Sequence, residues 1–532
     1  MTAKREQGWL FHGGRILDAP RAAAPARSTE AVLVCGDRIQ AVGPLERLRR
    51  AAPRGVRRVN LRGGTLTPGF VDAHVHLLTW IRAVSDVWLK TQTPAGLDEA
   101  VRAACASARE GDWIRLRGWV PRDWPRELKR RATLDRALSD RPLVLHAIDG
   151  HSVWGNSMAL RAAGIDARTA DPPGGTVERD ASGTPTGVLV EMAASLLRRV
   201  VPNRREPAQD LARAIAKAHS LGITGAHDFD RTDIWSAAQE LSARDRLPFR
   251  ILLSVPAAKL EAAESLEVRT GWGTDRLRVG GVKFFADGTL GSGTALLEEE
   301  YEDDTSTGTE VISRSELEDR CARARKAGLT VAIHAIGDRA VRNALDAIEG
   351  SIRRGGPFPA PPRVEHIQLA REEDLPRFKA LGVLASVQPI HQVTDRDVAK
   401  RKWGERTARS YAYRSLLRAG ARLAFGSDAP FDRPGPLLTL QAALLRRAGG
   451  EPESLAFHPE QRLGLAPALR AHLEEPNRMA GWSTPLGRIA PGWGADLVQF
   501  DQDLLRIDPG TYHRVRVRAV WIAGAGVFGK SL

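Results

Sequence analysis

Eight short apolar runs, separated by amphipathic stretches, recur through the middle of this chain and leave few folds open. In order they are GFVDAHVH (69–76), GITGAHDF (222–229), FRILLSVP (249–256), VGGVKFFADG (279–288), LTVAIHAIG (329–337), RVEHIQL (363–369), GVLASVQP (382–389) and RLAFGSDAP (422–430). Gly, Asp or His stands at or near the end of most of them, and Ala/Leu/Arg-rich stretches such as SELEDRCARARKAG and REEDLPRFKALG lie between them. Alternating strand and helix signals predict a parallel α/β domain. Eight such units predict a (β/α)8 TIM-like barrel, a fold of about 250 residues.

Two parts of the 532-residue chain are left over. Short strand-like segments with Gly turns stand at the start (WLFHGGRILDA, AVLVCGDRIQAVG, VRRVNLRGGTLTPG) and at the end (ADLVQFDQDL, VRAVWIAGAGVF). Neither set is long enough to bury its own core, so together they predict one small β-sandwich. The interval after the first barrel strand far exceeds a normal βα connection of a few residues plus its helix, and predicts an inserted subdomain. The expected divisions are 1–66 and 483–532 for the sandwich, 67–84 for the first barrel strand, 85–205 for the insertion and 206–482 for the rest of the barrel.

Composition narrows the function classes. No stretch reaches the ~20 apolar residues of a membrane span, and MTAKREQGWLFHGG has no apolar signal region. Three scattered cysteines (Cys35, Cys105, Cys321) argue against a disulfide framework and a Cys-based zinc site, and a cytoplasmic protein is expected. The net charge of +14 admits nucleic-acid binding, but the arginines are interleaved with acids and the densest run, 396–415, follows no nucleic-acid motif.

In a barrel, the C-terminal strand ends meet around one mouth. Titratable residues recur at those ends: His74 and His76 on the first strand, Lys283 and Asp287 on the fourth, His334 on the fifth, His366 on the sixth and Asp428 on the eighth. Period two puts His74 and His76 on one face. Each residue alone has a plain reading: a hydrogen-bonded core histidine, a turn-capping Asp428, or an ion pair between Lys283 and Asp287. Together they would leave several buried polar groups to be explained separately, and buried charges are costly unpaired. One divalent metal site explains them all.

The motifs FVDAHVHL, GVKFFADGTLG, AIHAIGDRAV, VEHIQL, SVQPIH, FGSDAP and PLGRIAPGWGADLVQFD resemble the amidohydrolase superfamily over nearly the whole chain. Within it they resemble amidohydrolase family 3, the branch of YtcJ-like proteins and N-substituted formamide deformylases. The resemblance implies that His74 and His76 hold one metal ion, that His334 and His366 hold a second, and that Asp428 binds metal and acts as general base. It implies a CO2-derived carbamate on Lys283 bridging the two ions in binuclear members. Zinc is the first candidate, in one or two copies, because it makes hydroxide available near neutral pH and polarises a carbonyl. Asp428 would take a proton from water and pass it to the leaving amine. The family commonly has Arg where this chain has Gly293.

Candidate substrate contacts are His151, Trp154 and Asn156 in the insertion, against a lid that packs for its own stability, with Asp287, Gln388 and His391 at the barrel rim. Trp119, Trp124 and Trp154 either line an apolar pocket or form a core. The leading expectation is a hydrolase of non-peptide C–N bonds, amide or formamide-like. The alternatives are a mononuclear deaminase or cyclic-imide hydrolase on the same barrel, and a basic nucleic-acid-binding protein. Expected partners are a small-molecule substrate and, at most, further copies of the chain; neither nucleic acid nor membrane is expected.

Overall fold

The computed structural model describes residues 8–23, 31–109, 111–147, 152–172, 174–201, 206–230 and 233–529. The chain divides into two compact units, residues 1–80 with 207–532, and residues 81–206. The first unit is built on an eight-stranded sheet whose strands run in chain order: Phe70–Val75, Ile223–Asp228, Arg250–Pro256, Leu277–Phe285, Val331–Ala335, Arg363–His366, Leu384–Val387 and Arg422–Phe425. All seven pairings between neighbours are parallel. Seven of the strands fall within one of the eight apolar runs, and the fourth, Leu277–Phe285, starts two residues before its run.

Both faces of a parallel sheet are covered, so its strands read as continuous apolar runs rather than alternating ones. Phe70–Val75 and Val331–Ala335 are accordingly buried at every position. The connecting helices bury one stripe only. Asp338–Gly355 places Val341, Leu345 and Ile348 inward while its Arg342, Arg353 and Arg354 stay accessible.

The eighth strand meets the first through the segment after it. Asp428 N–H donates to the His74 carbonyl at 2.7 Å, and His76 N–H donates to the Ala429 carbonyl at 3.0 Å. The Asp72 carboxylate accepts from Ser427 N–H (2.9 Å) and Ser427 Oγ (2.6 Å). The nearly closed ring of eight parallel strands is a TIM-like barrel.

The chain ends supply two further sheets to this unit. One contains Arg38–Gly43, Ala31–Cys35, Gly8–His12 and Arg57–Asn60; the other contains Arg15–Ile16, Thr65–Pro68, Leu497–Phe500, Val517–Ile522 and Ala525–Gly529. They share a core in which Trp521 meets Trp9 and Phe11 edge-on, with ring centroids 5.8 and 4.8 Å apart. A buried bidentate pair, Arg250 Nε and Nη2 to Asp496 at 2.6 and 3.0 Å, ties the third barrel strand to the C-terminal segment.

Residues 81–206 carry their own six-stranded sheet, ordered Gly175–Arg179, Pro185–Glu191, Ser152–Gly155, Leu143–Ala147, Ile114–Trp119 and Val87–Trp88. Trp119, Trp124 and Trp154 fill its core, with Trp154 centred 5.4 Å from Trp119 and 5.3 Å from Trp124. Among the described residues, no helix is long and apolar enough to cross a membrane.

Candidate metal centre

The strand ends of the barrel bring His74, His366 and Asp428 together: one ligand atom from each lies within 4.8 Å of the others, and all three side chains are buried. Asp428 faces the paired histidines of the first strand, with Oδ1 3.5 Å from His74 Nε2 and 3.3 Å from His76 Nε2. His334 stands beside this group, its ring 4.4 Å from that of His366. The backbone is unusual here. His366 and Asp428 adopt φ of +74° and +58°, a region that costs non-glycine residues about 1–3 kcal/mol and is concentrated at functional sites.

Hydrogen bonds fix which nitrogen each imidazole offers. A neutral histidine donates from one ring nitrogen and keeps a lone pair on the other. His74 Nδ1 donates to Glu365 Oε2 at 2.7 Å, and His366 Nδ1 donates to Gln388 Oε1 at 2.9 Å, so both keep the lone pair on Nε2. His334 Nε2 donates to the Gly288 carbonyl at 2.9 Å, leaving Nδ1. Burial lowers all three titrations, with His334 brought down to about 4, so the rings are neutral at pH 7. For Asp428, burial pushes the carboxyl up, but His74 and His76 outweigh it and hold the group well below the usual carboxylate range.

These residues suit a divalent ion: neutral imidazoles and an ionised carboxylate converge in a buried pocket, as nitrogen and oxygen ligands for zinc do. Lys283 adds a second sign. Its Nζ is buried with no hydrogen-bond partner and lies over the rings of Phe229 (4.6 Å) and Phe285 (5.2 Å). Burial lowers its pKa from 10.5 to about 8. An amine with a lowered pKa and no acceptor is suited to carboxylation, and Lys283 makes no ion pair with Asp287.

Of the three rim residues, Asp287 and Gln388 are engaged elsewhere, and His391 faces the centre. Asp287 is not free for a substrate: its buried carboxylate accepts from Leu296 N–H (2.9 Å), Ile336 N–H (3.1 Å) and Gly337 N–H (2.9 Å), pinning the loops around His334. Burial raises it from 3.8 to about 7, against those hydrogen bonds. Gln388 spends its oxygen on His366, so it holds that ring rather than presenting the oxygen to a substrate. His391 does face the centre, with Nε2 3.9 Å from Asp428 Oδ2. Its Nδ1 receives a hydrogen bond from Gln368 Nε2 at 3.3 Å, so the proton sits on Nε2.

In the other unit, two expected contacts are structural. Trp154 is wholly enclosed in the tryptophan core. Asn156 caps the helix Ser157–Ala162: its Oδ1 accepts from Leu143 N–H (3.0 Å) and Ala159 N–H (2.9 Å), and its Nδ2 donates to the Leu138 and Arg141 carbonyls at 2.9 and 2.8 Å. With four bonds to backbone, nothing of the amide is left for a substrate. His151 lies outside the described residues. Gly293 takes φ +68°, and Lys402 Nζ lies 3.1 Å from where its Cβ would stand.

Several residues at the centre went unread in the sequence. Asp72 shares the period-two face of His74 and His76 and locks that strand to Ser427. Glu365, one residue before His366, bonds to His74. Asp228 Oδ2 accepts from Leu77 N–H at 2.9 Å and Asp230 Oδ2 from Leu78 N–H at 2.6 Å, holding the turn just after His76. Two exposed aromatics flank the histidines: Phe431 is centred 5.6 Å from His76 and Phe285 5.2 Å from His334.

The chain belongs to the amidohydrolase family, whose model matches residues 57–528. It is 32% identical, over 98% of its length and 99% of the relative's, to YtcJ of Bacillus subtilis (strain 168), whose name marks it as a candidate amidohydrolase. It is 29% identical to the N-substituted formamide deformylase of Arthrobacter pascens, over 98% of each chain. A solved structure of an uncharacterized metal-dependent hydrolase from Pyrococcus horikoshii OT3 superposes with a TM-score of 0.79, at 27% identity over 95% of this chain and 99% of that one. The protein is thus a metal-dependent hydrolase of the amidohydrolase family.

Proposed function

We propose that the protein hydrolyses a non-peptide C–N bond in an amide or N-substituted formamide, with Asp428 as general base. The observation that carries this reading is the buried convergence of His74, His366 and Asp428. His76 and His334 complete the donor set, and Lys283, once carboxylated, adds two anionic oxygens. A divalent ion, zinc first, supplies Lewis acidity toward the substrate carbonyl and lowers the pKa of water.

The chain's own residues do the rest. Asp428, ionised at neutral pH, takes a proton from water as its oxygen bonds to the carbonyl carbon. As the C–N bond breaks, Asp428 returns that proton to the departing nitrogen, giving a carboxylic acid and an amine. His391, with its proton held on Nε2 by Gln368, donates to the substrate oxygen. Phe285 and Phe431 offer apolar surface beside the ligands, which favours an apolar substituent on the substrate. We also read the two chain-end sheets as one β-sandwich and residues 85–205 as an inserted subdomain, supported by the shared core and by the compactness of residues 81–206.

The mononuclear deaminase or cyclic-imide hydrolase is a second reading, favoured by the fact that the tight three-residue cluster needs no bridging lysine. Metal content per chain separates the two: near two equivalents supports the first reading and one equivalent the second. Asp428→Asn is expected to abolish turnover of formamides and N-acyl amines with metal still bound. Full activity in that variant removes Asp428 from the chemistry.

A further inference from the structure

We infer that Glu365, held in place by Arg363, is the positioning residue that makes His74 a ligand and sets the affinity of this centre for its ion. The inference rests on the metal reading above and concerns a pair of residues beneath the ligands rather than the ligands themselves. Arg363 and Glu365 lie two apart on the sixth barrel strand, so both point to the same side, and they are 2% and 0% exposed. Arg363 Nη2 donates to Glu365 Oε2 at 2.9 Å, and Arg363 Nε donates to Glu365 Oε1. The same Oε2 accepts from His74 Nδ1.

The guanidinium is itself fastened from three other strands. Nη2 reaches the Ala73 carbonyl and Ser386 Oγ, both at 2.6 Å, and Nη1 reaches His227 Nδ1 at 2.9 Å. Strands one, two and seven therefore hold Arg363, Arg363 holds Glu365, and Glu365 holds the His74 ring. Phe229 closes the other side, stacked on that ring at 4.2 Å with 27° between the planes. The imidazole has one orientation, with Nε2 directed toward Asp428.

A charge is not needed for that orientation alone. His366 is held the same way by the neutral amide of Gln388, and His334 by a backbone carbonyl. A buried carboxylate carries a desolvation cost, and its partner guanidinium carries another. What an anion adds is stabilisation of the positive charge that a bound cation places on the imidazole. Arg363 keeps the pair neutral, while Glu365 is the member bonded directly to His74, at 2.7 Å.

The test is a zinc titration of chelator-stripped protein in bicarbonate buffer, in competition with a chromophoric chelator, with circular dichroism as the folding control. Glu365→Gln keeps an acceptor of the same shape and removes the charge. It is expected to weaken zinc binding 10–100-fold, the usual effect of losing a group behind a ligand, and to shift the visible spectrum of the cobalt(II) form. Should the single variant fail to fold because Arg363 is left uncompensated, Arg363→Met/Glu365→Gln removes both charges and is expected to lose zinc affinity likewise. Parent-like zinc affinity in whichever variant folds overturns the inference. A parent protein that binds no zinc overturns the metal reading along with it.

Discussion

Replacing Lys283 with methionine should stabilise the metal-free protein. The lysine is buried, its Nζ has no hydrogen-bond acceptor, and its pKa falls from 10.5 to about 8. At about 1.4 kcal/mol for each tenfold change, burying the ammonium costs about 3 kcal/mol. The sign follows from linkage: a lysine depressed on folding contributes stability that is present above 10.5 and lost as pH falls through about 8, so at pH 7 the penalty stands in full. The faces of Phe229 and Phe285 return some of this, about 0.5–2 kcal/mol. Methionine fills similar volume with no charge. Lys283→Met in chelator-treated, bicarbonate-free buffer should therefore gain about 1–3 kcal/mol in urea unfolding at pH 7. The gain should shrink at pH 10.5, where the lysine is neutral in the folded parent and about half protonated in the unfolded chain. Adding zinc and bicarbonate should stabilise the parent far more than the variant. A variant less stable than the parent at pH 7 would show that the two rings satisfy the ammonium, and that Lys283 is a structural cation.

Other perturbations test the remaining assignments. Asn156→Ala removes a helix cap, worth about 1 kcal/mol, and strands the buried Leu143 N–H, worth about 1–3 kcal/mol more. Hydrogen exchange should quicken at Leu143 and Ala159 while kcat/KM of the folded enzyme holds; a fall in kcat/KM with unchanged exchange restores Asn156 as a substrate contact. His219 and His472 are buried and lowered to about 4, each donating to a backbone carbonyl, Pro248 and Val71. Depressed histidines give stability present above 6.5 and lost as pH falls through about 4. Each should therefore cost about 2 kcal/mol by pH 5, and His219→Gln should flatten the acid limb of a urea-midpoint-against-pH curve. Asp496→Ala leaves Arg250 buried without its partner and should destabilise by about 3–5 kcal/mol, read as a lower thermal midpoint.

What the sequence carried and what it hid divide along a physical line. The eight barrel strands are legible because a strand covered on both faces is predominantly apolar, a local constraint written directly into runs such as LTVAIHAIG. Strand-end positions were legible for the same reason: they are counted from the end of the apolar run. Whether a polar side chain at such a position is free for chemistry is a different quantity, set by how many of its donors and acceptors are already spent. Asp287 and Asn156 both look available in sequence, and both are consumed by backbone groups that lie far from them in the chain or across a turn. Gln388 looked like a substrate contact because it follows a strand end, yet its oxygen belongs to His366. Glu365 is hidden for the converse reason. It sits one residue before His366, and its partner His74 is on the first strand, a pairing that exists only once the barrel closes. Asp72 alone left a readable trace, since 72, 74 and 76 share one face. A polar residue in phase with two candidate ligands on a buried strand is best taken as part of their support, because a carboxylate that deep must be bonded to something that the ligands' own geometry requires.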